Sequence, residues 1–196
     1  HLNNLRKDLL LNISEINKYV TERSRCIQNA QEILEYFGGK PITDVKAFNE
    51  LGMPIYNWQR FYQINNTYLE LTNSGGLGII SSDSIKTMLF QLESIYRVNK
   101  AEEDHYRFDS ESCFYLPLYE SVDLEKMFGM VGYSVNKEPR SYTMGQAFSE
   151  RFIKDTKLKN GFVLTIAELS LLNEQLNEMK RISERLIKVI DRENSK

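Results

Sequence analysis

Along the first 37 residues, apolar side chains recur at 2, 9, 13, 16, 20, 27, 30, 34 and 37 (Leu, Leu, Ile, Ile, Val, Ile, Ala, Leu, Phe), mostly in alternating steps of four and three. This is a heptad-like stripe on one long helix, interrupted by Arg6 and Arg23. A helix of about 35 residues rising 1.5 Å per residue is roughly 50 Å long. Gly38 and Gly39 before Lys40 and Pro41 stop it, because glycine accepts the left-handed cap and proline cannot continue the ladder. Thr43 or Asp44 caps a short helix over Val45, Phe48 and Leu51, closed by Gly52 and Pro54. An aromatic-rich helix is expected from Tyr56 to Asn73, with Trp58, Phe61, Tyr62, Tyr68, Leu69 and Leu71 on its core face.

Asn73-Ser74-Gly75-Gly76 ends that helix, and Ser81 or Ser82 starts the next, which carries Ile85, Met88, Leu89, Leu92, Ile95, Tyr96 and Asn99 and runs to about Tyr106. From Phe108 to Lys159 the periodicity weakens, broken by Pro117, Gly129, Gly132 and Pro139. Two short helices are expected there, Asp123 to Met130 and Tyr142 to Asp155, the second capped by Ser141. Strong periodicity returns from Gly161 to Asp191 through Leu169, Leu172, Leu176, Met179, Ile182, Leu186 and Ile190. The expected fold class is all-α: a single helical domain over 1–196, its long first and last helices packed antiparallel, with shorter helices in the 108–158 region.

Composition narrows the function classes. With 41% hydrophobic and 27% charged residues the chain has the balance of a globular protein with a core. Its 25 Lys and Arg against 27 Asp and Glu leave no basic field for nucleic acid. Cys26 and Cys113 stand far apart and outside any CxxC or Cys/His cluster, which argues against a cysteine-held zinc and against a disulfide scaffold. They read as two small thiols, with a disulfide between them as the alternative in an oxidising compartment. No run of eighteen apolar residues crosses a bilayer. The chain opens on His1 and not Met, directly into an amphipathic helix, which is expected of a mature or truncated fragment whose true amino terminus lies upstream.

Candidate chemistry is sparse. Asn73-Ser74-Gly75-Gly76 has the look of a serine-nucleophile loop, but only His1 and His105 exist to serve as base, so a helix C-cap is the reading adopted. Gly75-Gly76-Leu77-Gly78 follows a helix and lacks phosphate-loop spacing. Glu102-x-x-His105 is half of a di-iron-type element, and Glu102, His105 and Asp109 on one helical face are the weak metal candidate, against a solvated helix end. The aromatic cluster Tyr106, Phe108, Phe114, Tyr115 and Tyr119 falls in the irregular region, where clefts and partner surfaces often sit, and is the candidate binding site, against core packing under a long loop as the reading that composition alone favours. Arg151, Lys154, Lys157 and Lys159 read as a solvated face.

The residues Tyr68-Leu69-Glu70-Leu71, Ser74-Gly75, Leu77, Ile79-Ile80 and the helix holding Ile85, Leu89, Leu92 and Tyr96 carry a resemblance. With the opening Leu2-Asn3-Asn4-Leu5-Arg6-Lys7-Asp8-Leu9 and the closing Leu186-Ile187-Lys188-Val189-Ile190, the chain resembles the extracytoplasmic part of an uncharacterised bacterial family of single-pass membrane proteins, a domain of unknown function. The resemblance implies a short cytoplasmic tip and one transmembrane helix before His1, which places this domain on the periplasmic side of the inner membrane. It carries over no catalytic or binding residues.

The resulting expectation is a membrane-tethered, non-enzymatic domain without cofactor that binds a protein or small-molecule partner in a sensing or envelope role, through Tyr106, Phe108, Phe114, Tyr115 and Tyr119. One alternative is a coiled-coil module pairing the Leu9 to Phe37 stripe between chains as a homo-oligomer, with Arg23 disfavouring a fully buried seam. The other is a metal-dependent hydrolase centred on Glu102, His105 and Asp109.

Overall fold

The computed structural model describes residues 1–52, 55, 58–121 and 145–195. The elements are α1 (Leu2–Phe37), α2 (Val45–Gly52), α3 (Asn66–Asn73), α4 (Asp83–Ser110), α5 (Leu116–Ser121), α6 (Gln146–Phe152) and α7 (Thr156–Glu193), with a 3-10 turn at Gly76–Ile79 and a π turn at Glu111–Tyr115. Among the described residues there is no strand, and the long first and last helices pack antiparallel as their stripes require. The helix expected over Asp123 to Met130 lies outside the described residues, as do Pro54, Tyr56 and Ser141. The residues form two compact units, one of 1–24, 60–103 and 170–196, the other of 25–59 and 104–169.

In the first unit the α7 stripe is buried at every expected position from Leu172 to Ile190, and it meets Leu5, Leu9 and Ile16 of α1 and Ile85, Met88, Leu89 and Leu92 of α4. Arg6 Nε donates to Asp191 Oδ1 at 2.7 Å and Asn194 to Asn3 at 2.9 Å, which fixes the antiparallel register. The buried line of α1 here is Leu5, Leu9, Asn12, Ile16 and Arg23, so two polar residues occupy seam positions. Arg23 is thus no interruption of the stripe. It forms an ion pair with Glu103, whose carboxylate is fully buried.

The aromatic helix expected from Tyr56 is corrected: Trp58 to Asn65 is not helical and α3 begins only at Asn66. The reason is tertiary. The Asn12 side chain accepts from the Ile64 N–H and donates to the Ile64 carbonyl, both at 2.8 Å, while the Tyr19 hydroxyl donates to the Arg60 carbonyl at 2.7 Å. The Phe61 N–H donates to Glu103 at 3.1 Å. Side chains of α1 and α4 thereby satisfy backbone groups that a helix would otherwise have to pair internally. Phe61 is driven to complete burial, with Tyr19 edge-on at 5.6 Å, whereas Tyr62 and Leu69 are exposed rather than core. Gly75, at φ 69°, takes the left-handed conformation that ends α3, and Ser74 Oγ donates to the Glu70 carbonyl, so this serine caps a helix.

The second unit is built on aromatic packing. Phe114 and Phe162 meet at a tilt of 58° with ring centroids 4.9 Å apart and join Ala30, Ile33, Ile55 and Leu158, with Phe37 and Phe152 against them. Asp44 caps α2 by accepting from the Ala47 N–H at 3.0 Å, and Asp155 caps α7 by accepting from the N–H groups of Lys157 and Leu158. The helix expected to end near Tyr106 instead continues to Ser110 and, through the π turn, to Ser121. Pro117 has no N–H for a regular ladder. The chain widens one turn earlier, where Leu116 N–H reaches the Glu111 carbonyl, and resumes as α5. Gly161 of α7 presses on this turn: a Cβ there would lie 2.8 Å from Cys113 Cβ and 2.8 Å from Phe114 Cζ.

Candidate functional site

The π turn divides the aromatic cluster. Tyr106 and Phe114 point inward, 6% and 1% exposed, and are core side chains rather than binding residues. Phe108 is exposed and does not line the groove described next. Tyr115 and Tyr119, four residues apart, face outward with ring centroids 6.2 Å apart. The physical reason is helical geometry: neighbours in sequence leave a helix on different faces, and residues four apart share one.

Trp58 completes this surface. Its backbone meets the Tyr115 hydroxyl, and the Arg107 guanidinium lies 5.3 Å from its ring centroid. Glu111 accepts from Arg107 Nε at 2.7 Å and holds that guanidinium in place. Trp58, Arg107, Glu111, Tyr115, Leu116 and Tyr119 line an open groove of about 390 Å³. Burial raises the Tyr115 phenol above its ordinary value, so it stays a neutral hydroxyl. The helical spacing around Trp58 predicts a core position, and the structure sets it half-buried at the groove. The groove was not legible because it depends on the turn that brings Trp58 beside α4 and α5.

A second cluster revises the metal candidate. His105 and Asp109 lie one turn apart on α4, and Glu168 of α7 joins them, with one ligand atom of each within 4.8 Å of the others. Glu102 is not part of this group. His105 Nδ1 is 3.0 Å from Glu168 Oε1, with the imidazole largely exposed and the carboxylate mostly enclosed. Burial, then the facing Asp109 carboxylate, pushes Glu168 up to about 7, opposed by His105. Behind the cluster the Tyr106 hydroxyl faces those of Ser110 and Thr165, all three residues buried, and burial raises this phenol too. Cys26 and Cys113 are half-buried thiols, and burial followed by Asp109 raises Cys113. Glu168 escaped the sequence reading because it lies 59 positions from Asp109.

Arg151, Lys154, Lys157 and Lys159 are all exposed, the solvated face expected. Among the described residues no helix is long and apolar enough to cross a membrane. Compared with known proteins, the chain matches no family model, no curated sequence and no solved structure.

Proposed function

We propose that this chain is a non-enzymatic helical binding domain that docks a protein segment on the groove of Trp58, Arg107, Tyr115 and Tyr119. The observation that carries the reading is the convergence of one Trp, two Tyr and one Arg on an open groove. These are the residue types that dominate binding energy at protein interfaces, because they offer large rigid apolar area with a polar tip. Their placement around a π turn is consistent, since such turns concentrate at functional sites. The resemblance to an extracytoplasmic domain family adds the context: a sensing or envelope role on the periplasmic side of the inner membrane, with the partner in the same compartment.

Trp58 is the one tryptophan of the chain, so its emission reports the groove directly. Peptides selected from a displayed library against the protein are expected to shift Trp58 emission and to lose affinity at least tenfold with Tyr119→Ala, an exposed position, by about the 1.4 kcal/mol of a modest hot spot. Selected peptides that bind without moving the emission and ignore Tyr119→Ala would refute the groove. For the location, a protease added outside spheroplasts of cells expressing the native gene is expected to digest the domain, and full protection would refute it. Leu9, Ile16 and Ala30 of the α1 stripe are buried within the chain and Val20, Leu34 and Phe37 pack partly buried against the same clusters, so a coiled coil between chains through it would compete with internal packing.

A further inference from the structure

We propose that His105, Asp109 and Glu168 bind one divalent transition-metal ion, with zinc the best match to the donors. This inference is independent of the groove reading. His105 and Asp109 stand at i and i+4 on α4, so both heads project from one face, and Glu168 closes the set from α7. The donor atoms lie within 4.8 Å of one another. A tetrahedral zinc ion held at about 2.0–2.2 Å by each would bring them to roughly 3.3–3.6 Å apart, a closure that the exposed His105 side chain can make by rotation.

The donor chemistry selects the ion. Two carboxylates and a neutral imidazole carry the two negative charges that a divalent cation neutralises. The imidazole favours zinc and its neighbours over calcium and magnesium, which prefer all-oxygen surroundings. Glu168 supplies a separate indication: its Oε2 is closed off from solvent and makes no hydrogen bond, while its other oxygen meets His105. The exposed side of His105 leaves positions around the ion open to water or to an external ligand, so the site has the open form and not the closed four-ligand form of purely structural zinc.

The test uses the full chain with His1→Ala, because His1 also presents an exposed imidazole. With that change His105 is the one histidine, and its imidazole C–H resonances report on this site alone. Chelator-stripped, dialysed protein is titrated with zinc chloride by calorimetry and NMR. The expected result is one zinc per chain, with the His105 resonances moving to completion at the same stoichiometry. His105→Gln at an exposed position and Asp109→Asn, a near-isosteric change at a half-buried one, are each expected to weaken binding at least about tenfold, as is Glu168→Gln, while Glu102→Gln leaves it unchanged. No heat and no shift in a large excess of zinc would overturn the site. So would adventitious uptake that His105→Gln leaves intact, or uptake that Glu102→Gln abolishes as fully.

Discussion

Replacing Arg23 with Met probes the polar centre of the first unit. The Arg23 and Glu103 side chains are 7% and 0% exposed, so removing the guanidinium leaves a carboxylate without access to water, compensated by the Phe61 N–H and the field of Arg60. Breaking a buried pair in this way costs about 3–5 kcal/mol. For a chain of this length that lowers Tm by roughly 6–20 °C. The pH dependence follows from the proton. Burial raises Glu103 above the usual carboxylate value of 4.5, outweighing Arg23, which lowers it. The native state therefore holds that proton more tightly than the unfolded chain. Its contribution is full below the unfolded value and is lost as pH rises through the folded one. Without Arg23 the folded value moves further up, so the deficit of Arg23→Met is expected to be smaller near pH 5 than near pH 7.5. Arg23→Met/Glu103→Gln keeps an acceptor for the Phe61 N–H while removing the charge, and is expected to recover at least about 1.5 kcal/mol of the loss. Urea unfolding followed by far-ultraviolet circular dichroism at both pH values measures all of this. A single variant within about 1 kcal/mol of the parent at both would refute the assignment of Arg23 as the counter-charge.

Other perturbations test separate contacts. Gly161→Ala adds a methyl 2.8 Å from Phe114 and Cys113, and overpacking of about 1–3 kcal/mol is expected to exceed the gain of about 1 kcal/mol in helix propensity, so a more stable variant by urea titration would contradict the close approach. Asn12→Ala unpairs both backbone groups of Ile64 and is expected to destabilise by about 2 kcal/mol and to speed amide exchange at Ile64; unchanged exchange would sink the account of the non-helical segment. Asp155→Ala removes the α7 cap at an expected cost of about 1 kcal/mol, read by thermal unfolding, with no change indicating that the first turn is held otherwise.

The long helices were legible because burial enforces their period. Leu172, Leu176, Met179, Ile182, Leu186 and Ile190 were placed on the buried face from spacing alone, and all are buried. Stops that depend on one residue were legible too, such as Gly75 at positive φ and Asp44 at its cap. The errors have a common origin. Trp58 to Asn65 carries helix-compatible spacing, yet Asn12, Tyr19 and Glu103 take up its backbone groups from 41 to 52 positions away. Arg23 reads as a break in a stripe until its partner, 80 residues on, is in place.

Local periodicity and backbone conformation suffice for the all-helical class, the two long stripes and stops such as those after Phe37 and Asn73, whereas the helices expected to start at Tyr56 and Gly161 start at Asn66 and Thr156. Packing between segments distant in the chain settles which aromatic residues face outward, that Trp58 joins Tyr115 and Tyr119, and that Glu168 and not Glu102 completes the cluster at His105. The cluster depends on where α7 packs beside α4, the groove also on a single π turn that shifts the faces of the helix beyond Ser110, and neither leaves a periodic signal in the chain.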